Sequence, residues 1–412
     1  MSIPHSPWAQ KLKPSPTLKI KAVADAMRQA GGEVFDFGIG EMNPEIPLPT
    51  NIKEGIAKAL KEDATHYSPA GGDPELVDAI VEDLGRFQLN YSCEQIVVCP
   101  GPKDAIFKAA LALLNPTARR HRLVMLAPGY ESFENIPMLL TGKPPILLET
   151  DAQFLPDPKK LADLLKKDNS IGAVVLNSPN NPTGAVYERP LLEQLAEVIA
   201  HYPDIAVLSD EVYRTLYYDG IQHTSMGSFL PEQVFVVGGM SKEVSGTGLR
   251  LGFVAGPREV MKTLEIIEGN ASSCVNLPTQ KGYARFLQED SNLEVRHQIR
   301  GELCRRRDCL LEHFASAAPD AVWHTPKGAF YFFPDMHAYL GRRTSDGQLV
   351  ESDHDLARYL LQCGRVVATP GSLFQRPGHL RFAYAVPLET IKRGMAQLGA
   401  ALAKLTRREP PA

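Results

Sequence analysis

Long apolar runs are missing from this sequence: no stretch reaches the length needed to cross a bilayer. Residues 1 to 20 also lack the charged start, apolar run and small-residue cleavage site of a secretory leader, so the expectation is a cytoplasmic protein without a membrane partner. A surplus of one charge is missing too. With 44 Lys and Arg against 48 Asp and Glu, the formal net charge of −4 gives no sign of a basic face for nucleic acid. The six cysteines (Cys93, Cys99, Cys274, Cys304, Cys309, Cys363) are dispersed and form no C-x-x-C pair. They read as reduced thiols, and no disulfide framework or metal site is expected. Internal repeats and low-complexity tracts are absent as well. What remains is an ordinary globular composition, 44% hydrophobic over 412 residues, long enough for two or three domains and suited to small-molecule chemistry.

The start of the chain carries Pro4, Pro7, Pro14 and Pro16, which suits an extended arm reaching a neighbouring surface or subunit. A helical pattern over 18–29 and a short apolar segment, 34–39, follow. Helical windows at 50–61, 74–87, 104–114, 158–167 and 189–201 then alternate with apolar or β-branched runs at 95–99, 122–126, 172–176, 204–208, 234–237 and 251–255. Runs without polar alternation suit strands covered on both faces. The expected fold is therefore α/β, with a mostly parallel doubly wound sheet in a large domain. Past about residue 290 the texture changes to a long charged helix, 293–314, the segment Gly328-Ala-Phe-Tyr-Phe-Phe-Pro334, a helix at 353–363, a strand at 379–384 and a last helix at 388–405. This reads as a smaller α+β domain. The expected division is 1–45 (arm and part of the small domain), 46–290 (large domain) and 291–412 (C-terminal small domain).

In open α/β sheets, ligands bind beyond the carboxyl ends of the strands. Three successive strand ends here carry chemistry. The first leads into Asn177-Ser178-Pro179-Asn180-Asn181-Pro182, the second into Ser209-Asp210-Glu211-Val212-Tyr213-Arg214. The third leads into a glycine-rich turn from Gly238 to Arg250 that sets Lys242 eight residues before Arg250. Taken singly, these could be an Asn-Pro turn, a helix-capping Asp and a solvated Lys and Arg. Taken together they offer an amine that can condense with an aldehyde and a fork shaped to hold a phosphate.

These strand ends resemble the aminotransferase class I and II family of fold-type-I pyridoxal-phosphate enzymes, over about residues 14–405. The resemblance implies pyridoxal 5'-phosphate as cofactor, bound in the 46–290 domain, with Lys242, Asp210 and Tyr213 as catalytic residues. Lys242 would form the Schiff base and carry the proton, and Arg250 would hold the phosphate. Asp210 would pair with the pyridine nitrogen, keeping it protonated so that the ring can draw electrons from the substrate's α-carbon. Tyr213 would donate to the ring hydroxyl, and Asn181 would contact that hydroxyl and the substrate carboxylate. Tyr130, in Pro128-Gly129-Tyr130, would stack on the ring, with Gly101, Pro102, Lys103 and Ser241 completing the cofactor contacts. Tyr67, in His66-Tyr67-Ser68-Pro69, matches a tyrosine that reaches the phosphate from a neighbouring subunit, which implies a homodimer. Gly40 would offer its backbone N–H to the substrate carboxylate, and Arg381, in Gly378-His379-Leu380-Arg381-Phe382, would grip it in two parallel hydrogen bonds.

The nearest branch is that of bacterial aspartate and aspartate/prephenate aminotransferases. There a lysine at the place of Lys103 reaches the distal carboxylate, and the threonine of a Lys-Pro-Ser-x-Thr opening, matched by Thr17, lies at the same pocket. The implied reaction moves the amino group of an L-amino acid, with aspartate or glutamate leading, to a 2-oxo acid such as 2-oxoglutarate. Three departures stand out: Pro102 where a backbone N–H often helps hold the phosphate, Leu249 in place of a tryptophan, and Met42-Asn43-Pro44 in place of Pro-Asp-Phe. Alternatives left open are an aromatic, alanine-like or unusual amino acid, a β-lyase using the same residues, and an idle relative serving as a binding module.

Overall fold

The computed structural model describes residues 16–29, 31–42 and 44–406, with side chains from residue 23 onward. The expected proline-rich arm up to residue 15, and Asn43, lie outside them. In chain order the helices are α1 (Pro16–Gln29), α2 (Thr50–Lys61), α3 (Pro74–Gly85), α4 (Pro102–Leu113), α5 (Ser132–Thr141), α6 (Pro158–Lys167), α7 (Arg189–Ala200), α8 (Met240–Glu243), α9 (Arg258–Ala271), α10 (Leu277–Gln288), α11 (Asn292–Ala317), α12 (Asp353–Gly364) and α13 (Leu388–Leu402). The strands are β1 (Phe35–Asp36), β2 (Ile96–Cys99), β3 (Arg122–Ala127), β4 (Ile146–Glu149), β5 (Ile171–Asn177), β6 (Ala206–Asp210), β7 (Val234–Gly239), β8 (Gly252–Ala255), β9 (Tyr331–Phe332), β10 (Val366–Val367), β11 (Thr369–Pro370) and β12 (Leu380–Ala383).

Seven strands form the central sheet in the order β2-β8-β7-β6-β5-β3-β4, parallel throughout except for β8, which runs antiparallel to both neighbours. Every residue of β5 is buried, which is why its sequence shows no polar alternation. Alternate residues feed two separate cores: Val124, Leu126, Val174 and Leu176 pack on one face, Leu123, Met125, Ala173 and Val175 on the other. The sheet is thus covered on both faces and doubly wound.

A further core gathers α11, α12 and α13 over the antiparallel sheet β11-β12-β9. Phe314 of α11 packs edge-on to Phe332 of β9 at 4.8 Å. The segment read as 34–39 contributes β1, which pairs in parallel with β10 and carries Phe35 and Phe37 into this core. Several elements give no clear signal in the sequence, among them the short α8, β10 and β11. Helix α5 carries Pro137 in its interior, which reads as a break. Strand β4 follows two prolines and is only partly buried. Helix α10 buries residues around most of its circumference and shows no clean stripe, and α9 was passed over despite its amphipathic pattern.

Four buried charges tie the two parts together: Asp83 on α3, Arg214 after β6, Glu243 at the end of α8 and Arg296 on α11. Asp83 accepts from Arg214 Nη2 at 2.7 Å and from Arg296 Nη1 at 2.6 Å. Glu243 lies 3.5 Å from Arg214 Nη2 and also pairs with Arg296. Burial alone would raise the Asp83 carboxyl, but Arg296 and Arg214 hold it below the usual carboxylate range. Removing one partner leaves an uncompensated buried charge. Glu243→Ala is expected to lose about 3–5 kcal/mol of stability in urea unfolding; a loss under about 1 kcal/mol would show the quartet to be dispensable.

Candidate active site

The carboxyl ends of β5, β6 and β7 lie side by side, with Asn177 opposite Asp210 and Asp210 opposite Val237. Beyond them opens a cavity of about 610 Å³, a volume typical of small-molecule sites. Of the residues singled out in the sequence, Gly40, Pro102, Lys103, Tyr130, Asn181, Asp210, Tyr213, Ser241, Lys242, Arg250 and Arg381 all line it. Gly101 stands behind the wall as the residue before α4. Tyr67 does not line its own chain's cavity and is 83% exposed. Thr17 falls on α1, where its side chain lies outside the described ones.

Lys242 sits on the single turn of α8 rather than in an open loop, with Glu243 beside it anchored in the buried quartet. Its half-buried Nζ donates to Gly40 O at 2.5 Å. Burial pushes the amine down to about 8; Arg381, Arg250 and Lys103 add to the shift, while Glu41 opposes it. A side chain at position 40 would collide with the Tyr331 hydroxyl, so only glycine fits there.

Asp210 is buried and forms no ion pair within 4 Å of any described residue; Val212 N donates to its Oδ1 at 3.3 Å. Burial raises its carboxyl to about 7, a value that a cationic ring nitrogen docked against it would pull down. Tyr213 and Tyr331 share a hydrogen bond of 2.9 Å between their hydroxyls, both buried.

On the opposite side, hydrogen-bond donors converge. Pro102 opens α4, where its missing N–H costs no helical bond. The first intrahelical bond is Ala105 N to Gly101 O, so the N–H groups of Lys103 and Asp104 point out of the helix start. Ser241 Oγ is buried without a hydrogen-bond partner among the described residues. Arg250 spends Nη1 on Thr247 O at 2.8 Å and makes no ion pair with a described carboxylate. Gly101, at φ +95°, lets this guanidinium lie across the start of α4, where a Cβ would come within 2.5 Å of Nη2.

Arg381 is a second guanidinium without a carboxylate among the described residues. It is buried, donating to Asn181 Oδ1 at 3.0 Å and Gly38 O at 2.8 Å, while its Nε has no partner among those residues. Its guanidinium lies over the rings of Tyr331 and Phe374, at 4.7 and 4.8 Å from their centroids. Asn181 is itself held by its backbone N donating to Asn177 Oδ1 at 2.8 Å. Lys103 Nζ rests 5.2 Å from the Tyr130 ring centre.

Sequence reasoning did not assign Tyr331 or Phe374 to the site. Tyr331 lay in the quoted Gly328–Pro334 segment, where a buried hydroxyl in an aromatic run signals a needed polar partner. Phe374 is on a short 3-10 turn and had no sequence signal.

An amine of lowered proton affinity, a lone buried carboxylate and three cations with no carboxylate of their own define an enzyme site for small polyanions. The model of the family described as aminotransferase class I and II matches residues 32–398, and the chain belongs to that family. It is therefore an aminotransferase. The chain is similar to a probable aspartate/prephenate aminotransferase of Aquifex aeolicus, 35% identical over 96% of this chain and 97% of that protein. It is also similar to an aspartate aminotransferase of Pinus pinaster, 33% identical over 95% of this chain and 79% of that protein. Among solved structures, the aspartate aminotransferase of Rhizobium meliloti superposes with a TM-score of 0.90 at 29% identity, covering 98% of this chain and all of that one. That of Thermus thermophilus with maleate gives 0.87 at 30% identity, covering 97% of this chain and 100% of that one.

The raised Asp210 carboxyl has a measurable consequence in cofactor-free protein. The folded chain holds this proton up to about pH 7, whereas an unfolded aspartate releases it near 4. The folded state therefore binds more protons between those values, and this group's contribution to stability falls as pH rises from about 4 to about 7. Urea unfolding of Asp210→Asn should show a flatter pH dependence than wild type over that window. Parallel curves would contradict the burial effect.

Proposed function

We propose that this aminotransferase holds pyridoxal 5'-phosphate in the cavity and takes a dicarboxylic L-amino acid, aspartate or glutamate, as donor to a 2-oxo acid such as 2-oxoglutarate. The observation that carries the reading is the convergence of Arg250, Ser241 Oγ and the α4 N–H groups on one side of Lys242, with Arg381 on another and Asp210 beneath. When bound, the cofactor supplies an aldehyde for the amino group and a cationic ring that draws electrons from the substrate's α-carbon.

The chain's own residues do the rest. Arg250, Ser241 and the start of α4 hold the phosphate dianion, and Pro102 shifts that duty onto Lys103 N and Asp104 N. Asp210, ionised against a ring cation, keeps the ring nitrogen protonated. Tyr130 would lie against the ring and Tyr213 would donate to its hydroxyl, with Tyr331 hydrogen-bonded to the Tyr213 hydroxyl. Asn181 bridges that hydroxyl and Arg381. Arg381 grips the α-carboxylate with its unpaired Nε edge, helped by Gly40 N. Lys242 Nζ would take the proton from the substrate's α-carbon and carry it through the transfer. Its proton affinity near 8 leaves a useful neutral fraction at physiological pH.

With a division at 45/46 and 290/291, Lys242, Asp210 and Arg250 belong to the large domain and Arg381 and Tyr331 to the small one, so a bound substrate bridges both. The exposed Tyr67 would close the phosphate side of a second subunit's cavity in a homodimer. Lys103 Nζ, beside Tyr130 and without an ion pair among the described residues, is assigned to the distal carboxylate, and the family resemblance assigns Thr17 to the same pocket. The relatives named for aspartate support this choice, as does the Thermus thermophilus enzyme solved with maleate, a dicarboxylate.

Two kinetic outcomes are expected. Lys242→Ala should lose turnover by a factor on the order of 10⁴ or more while still folding, because both the amine and the proton carrier are gone. Lys103→Ala should lower kcat/KM for aspartate relative to alanine and phenylalanine by about tenfold or more; an unchanged ratio would remove Lys103 from substrate choice.

A further inference from the structure

Outside the substrate cavity, three metal-ligating side chains meet on the second core: Asp335 shortly after β9, His337 opening a 3-10 turn, and His379 just before β12. One ligand atom from each lies within 4.8 Å of the others. Backbone pairing fixes the meeting. Asp335 faces His379 in an antiparallel bridge, and Met336 N donates to Gly378 O at 2.8 Å. Gly378, at φ +82°, is what admits the His337 ring, since a side chain there would collide with it.

The donors are also oriented. The buried His379 ring is stacked on Phe333 with centroids 5.0 Å apart, and its Nδ1 lies 3.3 Å from Pro377 O. That carbonyl can only accept, so Nδ1 carries the proton and Nε2 keeps its lone pair. Asp335 Oδ1 accepts from His337 N at 2.8 Å and from His337 Nδ1 at 2.7 Å, while its Oδ2 takes no hydrogen bond from any described residue. His337 is the exposed member, its side chain 59% exposed.

We propose that Asp335, His337 and His379 bind one borderline divalent transition ion, with Zn²⁺ as its representative. Two imidazoles and a carboxylate form a donor set suited to zinc, whereas magnesium and calcium prefer all-oxygen shells. Three protein ligands leave a position for water. Binding draws the donor atoms in toward the roughly 3.3 Å spacing of tetrahedral ligands about 2.0–2.1 Å from zinc. The exposed His337 ring supplies that movement, giving up the proton it shares with Asp335. No sequence motif marks this site, because the ligands come from separate elements without a metal-binding spacing. None of the three lines the substrate cavity, so the ion is separate from the reacting atoms.

Zinc calorimetry on chelator-treated holoenzyme, with Zn²⁺ as the only added ligand, tests the site. One ion per chain is expected, with affinity weakened on the order of tenfold or more in His337→Ala and in Asp335→Asn. Cys93→Ser, which removes an exposed thiol, should leave the affinity unchanged. No saturable one-site binding, an unaltered affinity in His337→Ala, or a loss confined to Cys93→Ser would each overturn the proposal.

Discussion

The buried quartet of Asp83, Arg214, Glu243 and Arg296 is the constraint on which the site geometry depends. Arg214 follows Tyr213 and Glu243 follows Lys242, so one charge cluster pins the backbones that present both of these side chains to the cavity. Through Arg296 it also ties them to α11, whose far end builds the core beneath Arg381. Four charges removed from water make such a cluster a poor source of net stability, but an incomplete one is costly. The arrangement fixes placement: neither loop can shift without leaving a buried charge unpaired.

A second feature is the pattern of what is not paired. In the quartet every charge faces its opposite, whereas around the cavity Asp210, Arg250, Arg381 and Lys103 have no ion-pair partner among the described residues. Charges left open in a partly desolvated pocket stay strong toward an incoming group of opposite sign. In the proposed function they divide three tasks: a ring cation at Asp210, a phosphate at Arg250 and a carboxylate at Arg381. Lys242 stands among all three, and its lowered proton affinity arises from burial among these same positive charges.

Much of this was legible in the sequence because strand ends concentrate chemistry. The buried strands β5, β6 and β7 appear as unbroken apolar runs, and the residues just after each run face one cavity once the strands lie side by side. Helices with strong apolar periodicity, α2 and α6, were readable to the residue. Where the local signal conflicts with the tertiary context, reading fails. Pro137 inside α5 and the all-round burial of α10 hide real helices. Tyr331 and Phe374 escaped for another reason: their roles come from stacking on Arg381 across the fold, which no local pattern encodes. The histidine and aspartate cluster at Gly378 was invisible for the same cause.

The central claim is that the amine of Lys242 is the group that captures an aldehyde cofactor, and borohydride reduction after addition of pyridoxal 5'-phosphate tests it directly. Peptide mass mapping of the reduced protein should find one stable pyridoxyl adduct per chain, on the peptide containing Lys242. An adduct mainly on another lysine, such as Lys103, or no adduct at stoichiometric cofactor, would contradict the account.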